Sequence, residues 1–296
     1  MKMLLSELIH IGNDLLGNLY PEREAREMVF AYLEAVIGTE RHTHIVEPEY
    51  QVEEDTASQA IEDFHRMASG EPLQYVIGKA YFYGREFNVS PDVLIPRPET
   101  ELLCRTVIDN VNDRSSLRIL DLCTGSGCIA WTLALEMPWA HVSAVDISDR
   151  AVEVASSQDF ADEMSRTGSR APDFIKADVL SFHPDQSEGS SWLQFDMIVS
   201  NPPYVMDSEK ALMRTNVLDH EPHLALFVPD DDPLVFYKAI ARMSMELLSP
   251  GGFGIVEINE AFGEETAFVF SSAGFSDVRI IKDLNDKDRF VTWRRE

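Results

Sequence analysis

Arg118-Ile-Leu-Asp-Leu-Cys-Thr-Gly-Ser-Gly127 is the stretch on which the fold turns. A short apolar run breaks on two glycines and passes straight into a helical pattern that continues to about Glu136. Glycines at 125 and 127 let the backbone turn tightly and approach a ligand with no Cβ in the way. The helix behind them begins with unpaired N–H groups. Strand, glycine turn and helix open a doubly wound α/β sheet, and the neighbouring segments extend it.

His141-Val-Ser-Ala-Val-Asp146 is a second strand, ending on a carboxylate 21 residues after Gly125. An acid at that strand tip can accept both hydroxyls of a ribose. Asp173-Phe-Ile-Lys-Ala-Asp178 is a third, and Asp178 is placed to meet an adenine edge. Phe195-Asp-Met-Ile-Val-Ser200, the fourth, runs into Asn201-Pro-Pro-Tyr204. The glycine turn, Asp146, Asp178 and Asn201 therefore fall at the carboxyl ends of four successive strands, the edge where open α/β sheets bind ligands.

The Asn201–Tyr204 corner suits a planar NH2 group. The Asn201 side-chain oxygen and the Pro202 carbonyl can both accept hydrogen bonds from one incoming nitrogen. Proline has a fixed φ and no N–H, which keeps those acceptors open and aimed. Tyr204 can lie against the flat face of the group being held. Two such hydrogen bonds would draw the nitrogen toward sp3 character and point its lone pair at an electrophilic methyl. An Asn-Pro turn behind a buried strand is the plain alternative.

Gly125-x-Gly127-x-x-Ala130 also fits a dinucleotide fingerprint, so a nicotinamide oxidoreductase stays in view. Asp121 counts against it. A carboxylate just before the turn would repel a pyrophosphate but helps to bind the ammonium of a methionine moiety. Together with the NH2 clamp, this points to S-adenosylmethionine as the cofactor.

In these segments the chain resembles the protein-(glutamine-N5) methyltransferases that modify peptide chain release factors, the HemK/PrmC family. Pro72-Leu-Gln-Tyr-Val-Ile-Gly78, Phe87-Asn-Val-Ser-Pro-Asp-Val-Leu-Ile-Pro-Arg-Pro-Glu-Thr-Glu101, Glu221-Pro-His-Leu-Ala-Leu226 and Asp288-Arg-Phe-Val-Thr292 carry the resemblance further. It runs from about residue 72 onward. The Pro-Arg-Pro-Glu stretch makes it far more specific than the Asn-Pro-Pro-Tyr tetrapeptide, which adenine-N6 methyltransferases of DNA and RNA share.

The resemblance implies an α/β fold: a seven-stranded Rossmann-like class I methyltransferase domain over 97–296, preceded by a small all-α bundle over 1–77 and a β-hairpin linker over 78–96. The bundle is expected to help grip the release factor. Cofactor contacts are implied at Cys123, Thr124, Gly125, Ser126, Gly127, Asp146, Asp178, Val179 and Asn201, beside Asp121. Asn201, Pro202, Pro203 and Tyr204 are expected to hold the glutamine, with Asn201, Pro202 and Tyr204 carrying the chemistry. Arg97 and Pro98 are expected to shape one wall of the substrate channel. Two departures stand out. Cys123 occupies a position where the family usually has glycine, and Val179 one where some members place tryptophan against adenine; both bear on cofactor affinity.

Residues 1–77 show helical rather than strand spacing, with Leu4, Leu5, Leu8, Ile11 and Leu15 on one face, a start at Pro21, a stop at Gly38 and a third helix from Ser58 to Ala68. Arms at Tyr81–Gly84 and Glu86–Ser90 form a hairpin turning near Gly84-Arg85. The acidic connection 205–233 is unusually long for a compact domain, and its Asp230-Asp-Asp232 run is expected to cap the helix Leu234–Leu248. The strand Phe253–Ile258, a helix around Glu260–Ser272, and the strands Val278–Lys282 and Phe290–Trp293 complete the methyltransferase variant of the sheet, whose last strand inserts antiparallel.

The composition is that of an ordinary soluble protein, 45% hydrophobic and 26% charged. No signal peptide or membrane span is visible, and three cysteines give no disulfide framework, which fits a cytoplasmic location. His42, His44 and Glu47 lack the further ligands of a metal site, so no metal is expected. Against 51 Asp and Glu stand only 25 Lys and Arg, a net charge of −26. That balance opposes a phosphate backbone and favours a positively charged protein partner, here class I release factors rather than nucleic acid. Three rivals remain: an adenine-N6 methyltransferase, a nicotinamide enzyme, and a non-catalytic cofactor-binding protein.

Overall fold

Leucines at helical spacing near the amino terminus bury one face of α1 (Leu5–Leu16). That face packs on α2 (Glu22–Ile37) and α3 (Glu54–Ala68) around Leu8, Val29, Leu33, Phe64 and Met67. Gly12 makes the close approach possible, because a Cβ there would stand 2.8 Å from both Phe64 and Val29. Gly38 ends α2 in the left-handed region at φ 75°. α3 begins at Glu54, four residues before the expected Ser58; Glu54 and Asp55 in its first turn complement the positive end of the helix. One feature departs from the all-helical expectation: Met3–Leu4 pairs antiparallel with Gln51–Val52.

The computed structural model describes residues 2–111, 116–181 and 194–296. The chain divides into two compact units, Met1–Lys79 with Met213–His220, and Ala80–Leu212 with Glu221–Glu296. Among the described residues no helix is long and apolar enough to cross a membrane.

A hairpin of Lys79–Phe82 and Arg85–Asn88 leads into the second unit. Its turn lies one residue earlier than expected, at Tyr83 (φ 51°) and Gly84 (φ 73°). Two positive φ values match the right-handed twist of the flanking strands. α4 (Pro98–Asp109) follows, with Pro98 at its first position, where a missing N–H costs nothing.

The seven strands of the main sheet are β1 (Arg118–Leu122), β2 (His141–Asp146), β3 (Asp173–Lys176), β4 (Phe195–Ser200), β5 (Leu248–Glu257), β6 (Ser276–Lys282) and β7 (Asp288–Arg294). Their spatial order is β6-β7-β5-β4-β1-β2-β3. β1 to β5 are parallel, and β7 inserts antiparallel between β5 and β6. Each face of the sheet carries its own core. Ile119, Met197, Val199 and Ile255 pack with α4 and with α5 (Cys128–Glu136). Leu120, Leu122, Ile198 and Val256 pack with α7 (Val235–Leu247) and with Phe270 of α8 (Gly263–Ser272). The intervening α6 (Asp149–Ser156) is capped by the Ser148 hydroxyl. Burial on both faces explains why these strands read as near-continuous apolar runs.

The long connection is partly ordered by its own pairing, with Val205–Met206 parallel to Phe227–Val228. The aspartate run does not cap α7, which starts at Val235 without a side-chain cap. Asp230 instead accepts from the Ser208 amide and hydroxyl at 3.0 and 2.7 Å, and Asp232 pairs with Lys238 at 2.7 Å. Asp230 is satisfied within its own loop and Asp232 by a lysine side chain in the first turns of α7, so neither carboxylate caps the helix amides.

Candidate active site

The carboxyl ends of β1, β2 and β4 open on one cavity of about 320 Å³, within the range of small-molecule sites. It lies wholly in the second unit. Arg97, Cys123, Thr124, Gly125, Ser126, Asp146, Asp178, Val179, Asn201 and Pro203 line it. Asp121, Gly127, Pro98, Pro202 and Tyr204 are not part of its lining.

The glycine turn is built from unusual backbone. Cys123 (φ 60°), Gly125 (φ 54°) and Gly127 (φ 78°) all adopt the left-handed region. A Cβ on Gly125 would meet no protein atom within 4 Å, leaving backbone accessible to the cavity. Gly127 serves packing instead: a Cβ there would stand 3.0 Å from Ala155 and 3.2 Å from Phe174 and Trp131. Cys123 is therefore a side-chain-bearing residue held where glycine is the natural choice. Burial, with Asp146 and Asp121 nearby, keeps its thiol well above the ordinary cysteine range, which disfavours the thiolate.

Asp121 sits under the turn, fully buried in β1. Its Oδ2 accepts from the Thr124 hydroxyl at 2.6 Å, while among the described residues Oδ1 has no hydrogen-bond partner. Burial pushes the carboxyl up to about 7, against the Thr124 hydroxyl and the Ala130 amide, which favour the ionised form. A buried acid with one idle oxygen is suited to a cation. Asp146 accepts from the Gly125 amide at 2.9 Å and the Ser148 amide at 3.0 Å. These bonds fix its orientation and leave further lone pairs for hydroxyls. Burial raises its carboxyl, and the amides of Ser148 and Gly125 oppose that. Asp178 lies two residues beyond the end of β3 and accepts from the Leu180 amide and the Ser181 hydroxyl at 2.9 and 2.7 Å. This set of acceptors fits a cofactor carrying an ammonium group, a ribose and an adenine.

Asn201 enters the cavity directly after β4. Its Nδ2 donates to Thr100 Oγ1 at 3.1 Å. Among the described residues no hydrogen bond engages Asn201 Oδ1 or the Pro202 carbonyl. Tyr204 is turned away from the cavity lining: its hydroxyl donates to Glu257 Oε1 at 3.0 Å, and its ring packs on the α7 side of the sheet. Burial and the neighbouring Glu257 carboxylate hold this phenol well above its usual range, so it stays protonated.

Four further residues organise the site. Thr100, in the first turn of α4, donates to Glu257 Oε2 at 2.7 Å. Glu221, 4% exposed, binds Arg97 at 2.6 Å and the Ile95 amide at 3.4 Å. Gln158 accepts from the Asn88 amide at 2.8 Å and donates to the Asn88 and Ser126 carbonyls at 2.9 and 3.2 Å. Glu257 has a signal in the sequence as a lone acid inside the apolar run Phe253–Ile258, and Thr100 and Glu221 lie within the resembling stretches without their pairings being readable there.

This arrangement has known relatives. The chain matches the Methyltransferase small domain family over residues 99–224 and the PrmC N-terminal domain family over residues 7–78. It is 46% identical to the release factor glutamine methyltransferase of Bacteroides thetaiotaomicron over 231 residues, 78% of each chain. The chain belongs to the release factor glutamine methyltransferase family. The enzyme of that name from Flavobacterium psychrophilum is 35% identical over 93% of this chain and 94% of its own. A solved release factor-specific protein-(glutamine-N5) methyltransferase from Alicyclobacillus acidocaldarius is 29% identical, with a TM-score of 0.41, covering 71% of this chain and 99% of that one. Membership makes the chain a methyltransferase whose methyl donor is S-adenosylmethionine.

Proposed function

We propose that this methyltransferase modifies the side-chain amide nitrogen (N5) of the glutamine in the Gly-Gly-Gln motif of class I peptide chain release factors. The observation that carries the reading is the side chain of Asn201. Its NH2 end is tied to Thr100, while its oxygen, unengaged among the described residues, shares a cavity with Gly125, Asp146 and Asp178. An acceptor aimed beside a nucleoside-type site is what an incoming carboxamide NH2 requires.

When bound, S-adenosylmethionine supplies the electrophilic methyl. Asp146 would hold its ribose and Asp178 with Val179 its adenine, along the turn of Cys123, Thr124, Gly125, Ser126 and Gly127, while Asp121, buried beneath that turn, would attract its ammonium. Asn201 Oδ1 and the Pro202 carbonyl accept the two hydrogens of the glutamine amide. An amide nitrogen is a poor nucleophile, so orientation supplies much of the rate. The same two acceptors stabilise positive character growing on nitrogen. Pro203 and Arg97 bound the approach of the side chain, with Pro98 setting the start of α4. Tyr204 braces the corner through Glu257. No strong base is needed, since the methylated nitrogen is acidic enough to release its proton to water.

The partner reading is supported by charge and by the names of the relatives. A net charge of −26 disfavours nucleic acid and permits a basic protein surface. The helical unit contributes to gripping that partner, and the reaction takes place in the cytoplasm, where release factors work. Mass spectrometry of a release factor incubated with enzyme and cofactor tests the reading. One added methyl on the Gly-Gly-Gln glutamine is expected. Transfer to adenine in an oligonucleotide, with the release factor left unmodified, would overturn it.

A further inference from the structure

Glu257, the last residue of β5, is 1% exposed, an expensive place for a carboxylate. Both of its oxygens accept hydrogen bonds, Oε2 from Thr100 at 2.7 Å and Oε1 from Tyr204 at 3.0 Å. Burial raises this carboxyl while the Thr100 and Tyr204 hydroxyls favour its ionised form, and ionised it is an acceptor only. The single hydrogen of the Thr100 hydroxyl is therefore committed to Glu257, and the hydroxyl can offer Asn201 nothing but lone pairs. Asn201 meets it with its donor end, Nδ2, at 3.1 Å. The polarity of the chain runs one way, from amide to hydroxyl to carboxylate.

We propose that Glu257 and Thr100 are positioning residues that set which end of the Asn201 amide faces the cavity. The two ends of a carboxamide have nearly the same shape, so packing alone does not distinguish them. With the NH2 end drawn to Thr100, Oδ1 is presented to the substrate. Rotated by half a turn, Asn201 would present a donor to the donor hydrogens of the glutamine, and the clamp would repel what it is built to hold. The inference rests on the reading that Asn201 Oδ1 accepts from the substrate amide. A purely structural role for Glu257, joining α4 to β5, would need no particular direction of hydrogen bonding at Thr100.

The full chain carrying Thr100→Val, Glu257→Gln or Thr100→Ser tests this, with a release factor as substrate and Asn201→Ala as reference. Thr100→Val keeps the volume but removes the hydroxyl. Glu257→Gln keeps the shape but can donate as well as accept, so the chain loses its direction. Both are expected to lower kcat about 10- to 100-fold. KM for the release factor and calorimetric affinity for S-adenosylmethionine should stay within about twofold of wild type. Thr100→Ser should recover kcat to within about threefold. The side-chain NH2 resonances of Asn201 should shift in the two impaired variants and return in Thr100→Ser. Glu257→Gln carries the test alone should Thr100→Val fail to fold. Wild-type kcat in Thr100→Val and Glu257→Gln, with Asn201→Ala inactive, overturns the proposal and leaves the reading of Asn201 standing. Full activity in Asn201→Ala removes both.

Discussion

One oxygen of the buried Glu221 carboxylate holds the Arg97 guanidinium at 2.6 Å, joining the segment before α4 to a loop 124 residues away. The second oxygen reaches the Ile95 amide at 3.4 Å, so a single side chain anchors this wall of the cavity twice. Arg97 is 32% exposed, so water can replace part of what it loses. Glu221→Gln should therefore cost about 1–2 kcal/mol of stability rather than the 3–5 kcal/mol of a fully buried pair. Its larger effect should appear as a several-fold rise in KM for the release factor, with cofactor affinity unchanged. Steady-state kinetics beside calorimetry would show this split.

Asp121 should make the stability of the cofactor-free protein depend on pH. Its folded-state carboxyl, near 7, lies above the ordinary value of 3.8. A raised pKa means that its contribution is fully present below about pH 4 and is lost as pH climbs through 7. The loss amounts to about 4 kcal/mol at the upper end. Asp121→Asn should match wild type in urea denaturation near pH 4 and exceed it increasingly toward neutrality. In the same variant cofactor binding should weaken. Wild type should release protons on binding S-adenosylmethionine near pH 7, and the Asn variant should release fewer, a contrast that calorimetry in two buffers reads directly.

Position 123 offers a backbone test. A side chain held at φ 60° carries about 1–2 kcal/mol of strain. Cys123→Gly removes that strain but adds freedom to the unfolded chain and empties a little packing. Its stability should fall within about 1 kcal/mol of wild type, and S-adenosylmethionine should bind at least as tightly. Cys123→Val places a β-branched residue in the same conformation and should destabilise by about 2 kcal/mol. Urea titration of the pair measures both.

Gly254 pairs with Trp293 across β5 and β7, and a Cβ at 254 would lie 2.0 Å from the indole. Trp293 is fully buried and stacked on Phe270 with ring centroids 3.9 Å apart, so it has no room to yield. Gly254→Ala should cost at least about 3 kcal/mol, visible as a sharp drop in thermal midpoint.

The sheet was legible because its signals are local. β1 and β4 announce themselves as apolar runs ending in a glycine turn and an Asn-Pro-Pro corner, and those features also mark the cavity edge. The helical start lost four residues at Glu54 because polar first-turn residues look like loop until the helix dipole is considered. The aspartates at 230–232 stand just before α7, where proximity predicts a cap, but Asp230 is taken by Ser208, 22 residues away, and Asp232 by the Lys238 ammonium. The roles of Thr100, Glu221 and Gln158 are not legible in the sequence for a deeper reason. Each acts through partners 32 to 157 residues away, and such bonds exist only once the sheet has brought the segments together. Glu257 was visible as an anomaly, yet nothing in its own strand names Thr100 or Tyr204.

Gln158 gives the hairpin an unsuspected standing. Its carboxamide imitates a neighbouring strand, giving and taking one bond each with the backbone of Asn88, and its remaining N–H fastens to Ser126 beneath the glycine turn. The ribbon at 79–88 thus behaves as a buttress for the nucleoside pocket. Anyone dissecting the protein would do well to cut before Ala80, since a fragment trimmed back to α4 would surrender the scaffolding of the very loop it was meant to display.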